Sequence, residues 1–134
     1  MFDRPEYQVG DTITIQKLIT YDDTAVTFGN GGLDNLLATP SLVAMIIEAS
    51  SRLLDRRLHS DYVTAGLQIS VKHLNPSPIG NTLSVKVTIR EISGNHIHLD
   101  FEAADEMGLI ATGTHERVIV NKTGLMAKAA SRSV

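Results

Sequence analysis

Residues 39–58, TPSLVAMIIEASSRLLDRRL, are the one stretch of this chain with a long helical periodicity, and everything else has to be arranged around it. Its start is well marked. Threonine is a favoured N-cap and proline suits the first turn, so Thr39 is read as the N-cap and Pro40 as the first helical residue. Stepping about 100° per residue, Leu42, Val43, Met45, Ile46, Ile47, Ala49, Leu53 and Leu54 cover a broad arc centred near the Thr39 direction. Ser41, Glu48, Ser51, Arg52 and Asp55 fall on the opposite side. An apolar arc wider than half the circumference asks for a sheet that curves around the helix. Ile47 lies at the edge of that arc. Glu48 lies on the polar face, four residues before Arg52, the favoured order for a helix-surface ion pair.

Before the helix, TITIQKL (12–18) alternates like a strand and AVTF (25–28) is read as a short extended piece. FGNGGLDN (28–35) is a Gly/Asn loop without the G-x-G-x-x-G spacing of a phosphate cradle. After the helix come four strand-like segments, 63–74, 82–92, 95–104 and 109–121, separated by NPSPIGN, SGN and DEMG. Four such strands need no crossovers if they are antiparallel neighbours in chain order. One helix on one face of about five antiparallel strands is an α+β arrangement. Residues 1–122 are read as one domain, and the small, polar and basic residues 123–134 as a flexible tail.

Composition narrows the function. A net charge of −3 argues against nucleic-acid binding, which needs a basic surface. The chain has no cysteine, hence no disulfide, thiolate nucleophile or Cys-based metal site. No apolar run approaches the roughly 20 residues of a membrane span, and MFDRPEYQVG lacks a signal-peptide layout, so a cytoplasmic protein is expected.

Few residues remain to carry chemistry. His73 ends a strand, LQISVKH, immediately before a turn stiffened by Pro76 and Pro78; it is a cap, a surface residue or a base. Gly66 interrupts the same strand, the mark of a bulge or of close backbone approach. His96 and His98 share a face at metal-like i, i+2 spacing but have no evident third ligand, so no metal site is expected. His115 and Glu116 lie on opposite faces of the last strand, where cross-strand pairing accounts for both.

Taken together, VGDT (9–12), LATPSLVAMIIEAS (37–50), TAGLQISVKHLNPSPIGNTL (64–83) and GTHERVIV (113–120) resemble the hotdog-fold acyl-CoA thioesterases, in their fluoroacetyl-CoA thioesterase-like branch. The resemblance implies a central helix wrapped by a curved antiparallel sheet of about five strands. It also implies a homodimer, with pairing into tetramers open, active sites at the dimer interface, an acyl-CoA substrate and no cofactor beyond the coenzyme A of that substrate. By motif position it makes Thr39 and His73 catalytic and gives Gly66 a substrate-positioning role. The branch's helix glutamate, eight residues after the threonine, is here Ile47; Glu48 stands one residue late and is carried as a catalytic candidate only if the helix register shifts. The expectation is thioester hydrolysis with His73 as general base and Thr39 positioning or attacking. The alternative is an acyl-thioester binding protein that has lost catalysis with its carboxylate. Hydration of an enoyl-CoA on the same fold would call for an Asp/His pair at short spacing, which the sequence lacks.

Overall fold

In the computed structural model the described residues are 5–29, 31–33 and 35–133. Strand β1 (Thr12–Leu18) and two short 3-10 turns lead to helix α1 (Thr39–Leu54). A further 3-10 turn precedes β2 (Tyr62–His73), β3 (Thr82–Ser93), β4 (His96–Asp105), β5 (Gly108–Asn121) and helix α2 (Lys122–Ser131). The five strands make one antiparallel sheet in the order β1-β3-β4-β5-β2. Helix α1 packs on β1 and β3 near one edge and on β2 at the other. Five strands spaced about 4.8 Å apart are wider than a helix of about 10–12 Å, so a helix that touches both edges must sit in a sheet that curls around it.

The core lies between them. Leu42, Met45, Ile46, Ala49, Leu53 and Leu54 of α1 are buried against Leu83, Val85, Val87 and Ile89 of β3 and Ile97, Leu99 and Phe101 of β4. At the end of α1 the Tyr7 hydroxyl donates to the Leu54 carbonyl at 2.6 Å, satisfying one of the orphan acceptors of the last turn. Burial pushes the Tyr7 pKa up to about 12.

The helix and strand boundaries agree with the sequence to within a few residues, but the strand order does not. β2 pairs with β5 at the edge, so residues 74–81 are a crossover rather than a turn between neighbours. Period-2 alternation reports which face a residue occupies and says nothing about its partner strand. Hydrogen bonds hold the crossover across the sheet end. Leu74 N–H donates to the Ile110 carbonyl, and the Asn75 side chain donates to the Leu109 carbonyl. Asp105 accepts from Ser77 Oγ, from Asn81 Nδ2 at 2.9 Å and from Met107 N–H at 2.8 Å.

Other local expectations are corrected too. Residues 25–28 form a 3-10 turn in place of an extended piece, and α1 ends at Leu54 instead of running to residue 58. In the segment read as a flexible tail, Lys122–Ser131 form a helix; every residue in it is exposed, and the Asn121 side chain caps it by accepting from Gly124 N–H. Ile47 is not buried but 41% exposed.

One glycine fixes the sheet. A Cβ on Gly113 would lie 2.0 Å from the Ser70 carbonyl oxygen and 2.4 Å from the Phe101 ring, so the β4–β5–β2 packing admits no side chain there. Gly113→Ala should therefore destabilise the fold by about 2 kcal/mol or more, read as a lowered midpoint in chemical denaturation.

Candidate active site

The N-terminus of α1 and the last residue of β2 meet at the head of the crossover. Thr39 Oγ1 and His73 Nδ1 are 2.8 Å apart, a hydrogen bond linking residues 34 positions apart in the chain. That bond explains a correction: Ala38, not Thr39, is the N-cap, and no side chain caps the helix. Thr39 is the first helical residue and its hydroxyl is committed to the imidazole. The crossover holds both partners in place. Ser77 carbonyl accepts from Leu37 N–H at 2.8 Å, and Ile79 N–H donates to the Asn35 carbonyl at 2.9 Å.

Thr39 is exposed, while the His73 ring is half-buried behind it. Its Nε2 is sealed from solvent and has no hydrogen-bond partner among the described residues. Burial lowers the His73 pKa below the ordinary value of 6.5; the nearby Asn75 backbone favours the charged form and offsets only part of this. At neutral pH the ring is therefore a neutral base facing a hydroxyl. The N–H groups of Thr39 and Ser41 have no intrahelical partners, so the helix presents donors and positive dipole density beside the pair.

A pocket of about 430 Å³ opens against this pair. Thr39, Pro40 and His73 line it together with Phe28, Leu33 and Leu36 from the segment before the helix and Leu74 from the crossover. Positions 30 and 34 of the 28–38 loop lie outside the described residues.

The other predicted site residues are elsewhere. Glu48 is exposed and bonds Arg52 at 2.7 Å, with no helix irregularity to turn it towards His73. Gly66 sits at a bulge, as its place in the strand pattern suggested: the β2–β5 register shifts between Gly66 and Gln68. It lies seven residues from His73 along β2, roughly 20 Å away at strand rise, so a single chain does not bring the two together. His96 Nδ1 bonds Glu116 Oε2 at 2.7 Å across β4 and β5, and His115 Nδ1 bonds the Gln68 carbonyl at 2.9 Å, both cross-strand pairings as expected. Among the described residues no group of three or more acidic or imidazole side chains could hold a metal.

Sequence reasoning missed Arg117. It is buried beneath the Gly66 bulge, donating from Nε to Thr64 Oγ1 at 2.8 Å, from Nη2 to the Thr64 carbonyl at 2.7 Å and from Nη1 to His115 Nε2 at 3.2 Å. Thr64 Oγ1 in turn donates to Asp55 at 2.6 Å, which ties the buried cation to a carboxylate through one hydroxyl. Those contacts set the His115 tautomer: Nδ1 carries the proton and Nε2 accepts. Alternation of GTHERV did signal the position, since it places Arg117 on the same face as His115.

A single long helix seated in a five-stranded antiparallel sheet is the hotdog fold. Residues 19–123 match the sequence profile of the fluoroacetyl-CoA-specific thioesterases, and the chain belongs to that family. The fluoroacetyl-CoA thioesterase of Streptantibioticus cattleyicolor is 28% identical over 93 residues, spanning 69% of this chain and 67% of that protein. A hot-dog-like protein from Thermanaerovibrio acidaminovorans superposes with a TM-score of 0.91 at 26% identity, over 96% of this chain and 94% of the other. A mutant of the fluoroacetyl-CoA-specific thioesterase gives 0.90 at 22% identity over 97% and 100%, a likeness of fold.

Burial also lowers the pKa of His115, with Arg117 acting in the same direction and the Gln68 carbonyl against it. Both histidines are thus neutral in the fold at pH values where the unfolded chain already takes up protons. Their contribution to stability is complete above about pH 6.5 and is lost as the pH falls below it. Denaturation midpoints measured from pH 8 to pH 5 should be flat down to about 6.5 and then decline, and His73→Gln should weaken the decline.

Proposed function

We propose that this protein hydrolyses acyl-CoA thioesters, with the Thr39–His73 pair as its chemical centre. The observation that carries the reading is the 2.8 Å bond between an exposed hydroxyl and a half-buried, neutral imidazole at the mouth of an apolar pocket. Because Nε2 is sealed, His73 works through Nδ1 and therefore through Thr39. Nδ1 accepts the hydroxyl proton as Oγ1 attacks the thioester carbonyl, and the free N–H groups of the first helical turn meet the oxygen as it gains charge. The C–S bond breaks, the proton passes from His73 to the departing CoA sulfur, and water then releases the acid from Thr39. The net change is thioester plus water to carboxylic acid plus CoA thiol. General-base assistance of this kind is worth about 10²–10⁴ in rate.

The active form in this reading is a homodimer, and two such dimers can pair into a tetramer. Two features support the dimer. β2 is a twelve-residue edge strand, and among the described residues no strand pairs with its outer side. Antiparallel pairing of two such edges centred between residues 69 and 70 would set Gly66 of one copy opposite His73 of the other, which supplies the positioning glycine that one chain lacks. Glu48 has no part in the chemistry.

Ile47 favours a second reading, an acyl-thioester binding protein without turnover. No carboxylate stands at the position where the family pattern places one, and the side chain there is a 41% exposed isoleucine.

CoA release from a panel of acyl-CoAs separates the two. Hydrolysis predicts that His73→Ala lowers kcat by about 10²-fold or more, that Thr39→Ala does the same, and that Glu48→Gln changes it less than twofold. Tight thioester binding with no CoA release by the wild type, and release gained in Ile47→Glu, would instead establish the binding protein.

A further inference from the structure

Resting on the thioesterase reading, we infer that the site takes uncharged, apolar acyl groups well beyond two carbons, and that Ala25, Phe28, Leu33, Leu36 and Leu37 set this selectivity. The pocket beside Thr39 has about 430 Å³, within the range of roughly 300–1,000 Å³ that encloses drug-sized ligands. Its apolar wall comes from Ala25, Phe28, Leu33, Leu36, Leu37 and Leu74, and among the described residues its polar side chains are Thr39, His73 and Asn75. A two-carbon acyl group bonded at Thr39 would leave most of that wall without contacts.

The rim shows the same mismatch with a small substrate. In the single chain Phe28 is 51% exposed, Leu33 43% and Leu74 51%, so three large apolar side chains border the opening. A flexible chain of several methylenes lying from Thr39 towards Ala25, Phe28 and Leu33 covers them, whereas an acetyl group does not reach. Each methylene moved from water to an apolar wall is worth about fourfold in kcat/KM.

The wall also argues against acyl groups that end in a carboxylate. None of the described lining residues carries a positive charge at neutral pH, because His73 is held neutral by burial. A carboxylate entering this pocket would lose its hydration without gaining a partner.

The test compares kcat/KM for acetyl-, butanoyl-, hexanoyl- and succinyl-CoA. Hexanoyl-CoA is expected to exceed acetyl-CoA by about 50-fold or more, and succinyl-CoA to fall at least about tenfold below butanoyl-CoA of equal chain length. Ala25→Phe, which fills the wall, should lower the hexanoyl-to-acetyl ratio by at least about tenfold; Phe28→Ser, on the exposed rim, should lower it less. Acetyl-CoA or succinyl-CoA turned over as well as hexanoyl-CoA would overturn the inference, as would an unchanged ratio in both variants. If no ester is hydrolysed, the thioesterase reading fails and calorimetry with S-hexyl-CoA and S-ethyl-CoA, which cannot be cleaved, decides the pocket. Tighter binding of the hexyl compound upholds the apolar selectivity, and equal binding overturns it.

Discussion

The crossover at residues 74–81 is the constraint on which the site depends. It runs across one end of the sheet from the edge strand β2 to β3, and side-chain and backbone bonds clamp it on both flanks. On one flank Asp105 gathers Ser77 and Asn81 to the β4–β5 turn; on the other, backbone bonds tie Ser77 and Ile79 to the segment that enters α1. Burial acts to raise the Asp105 pKa, but the hydrogen bonds from Ser77, Asn81, Met107 and Gly108 outweigh it and hold the carboxyl below its ordinary value. The anchor is therefore charged whenever the protein is near neutral pH. Since the crossover begins right after His73 and touches the residues just before Thr39, the same clamp fixes both ends of the 2.8 Å bond.

A second polar assembly holds the other end of β2. Arg117 is only 6% exposed, and burying a guanidinium costs several kcal/mol unless its donors are matched. Here Thr64 and His115 take three of them, while Asp55 stands behind Thr64. The bulge lies over the same pair: a Cβ on residue 66 would meet His115 Cε1 at 3.4 Å and Arg117 Nη1 at 3.6 Å, ordinary contact distances. Both ends of β2 are thus set by buried polar contacts, and its middle is left as an open edge.

Much of this was legible in the sequence for identifiable reasons. The long helix carries the strong 3.6-residue period, and its wheel placed Glu48 beside Arg52, where the 2.7 Å ion pair is found. The Gly66 interruption marks a true bulge, and the family resemblance pairs Thr39 with His73, which the structure joins by a hydrogen bond. Strand order was hidden because eight residues rich in proline read equally well as a turn or as a span across three strands. The cap was misassigned for a related reason: the rule favouring threonine over alanine assumes that the hydroxyl has nothing better to bond, and here His73 competes for it. Arg117 went unnoticed because an arginine in a strand is ordinarily a surface residue.

The state of His73 bears directly on how fast such a site can turn over. In a hydroxyl–imidazole–carboxylate triad, one ring nitrogen faces the nucleophile and the other a carboxylate that stabilises the imidazolium. His73 keeps the first half of that arrangement: Nδ1 faces Thr39, but Nε2 is sealed from solvent and has no hydrogen-bond partner among the described residues. Proton uptake from Thr39 would create a half-buried cation helped only by the Asn75 backbone, so the low pKa that keeps the base neutral also weakens it as a proton acceptor. In the proposed reaction the barrier would then be lowered chiefly by what surrounds the carbonyl oxygen, the open N–H groups of the helix start, and by acyl-chain burial that would hold the ester against Thr39. Such a reaction would draw its rate from positioning more than from basicity, and selectivity for the acyl group would be part of its chemistry.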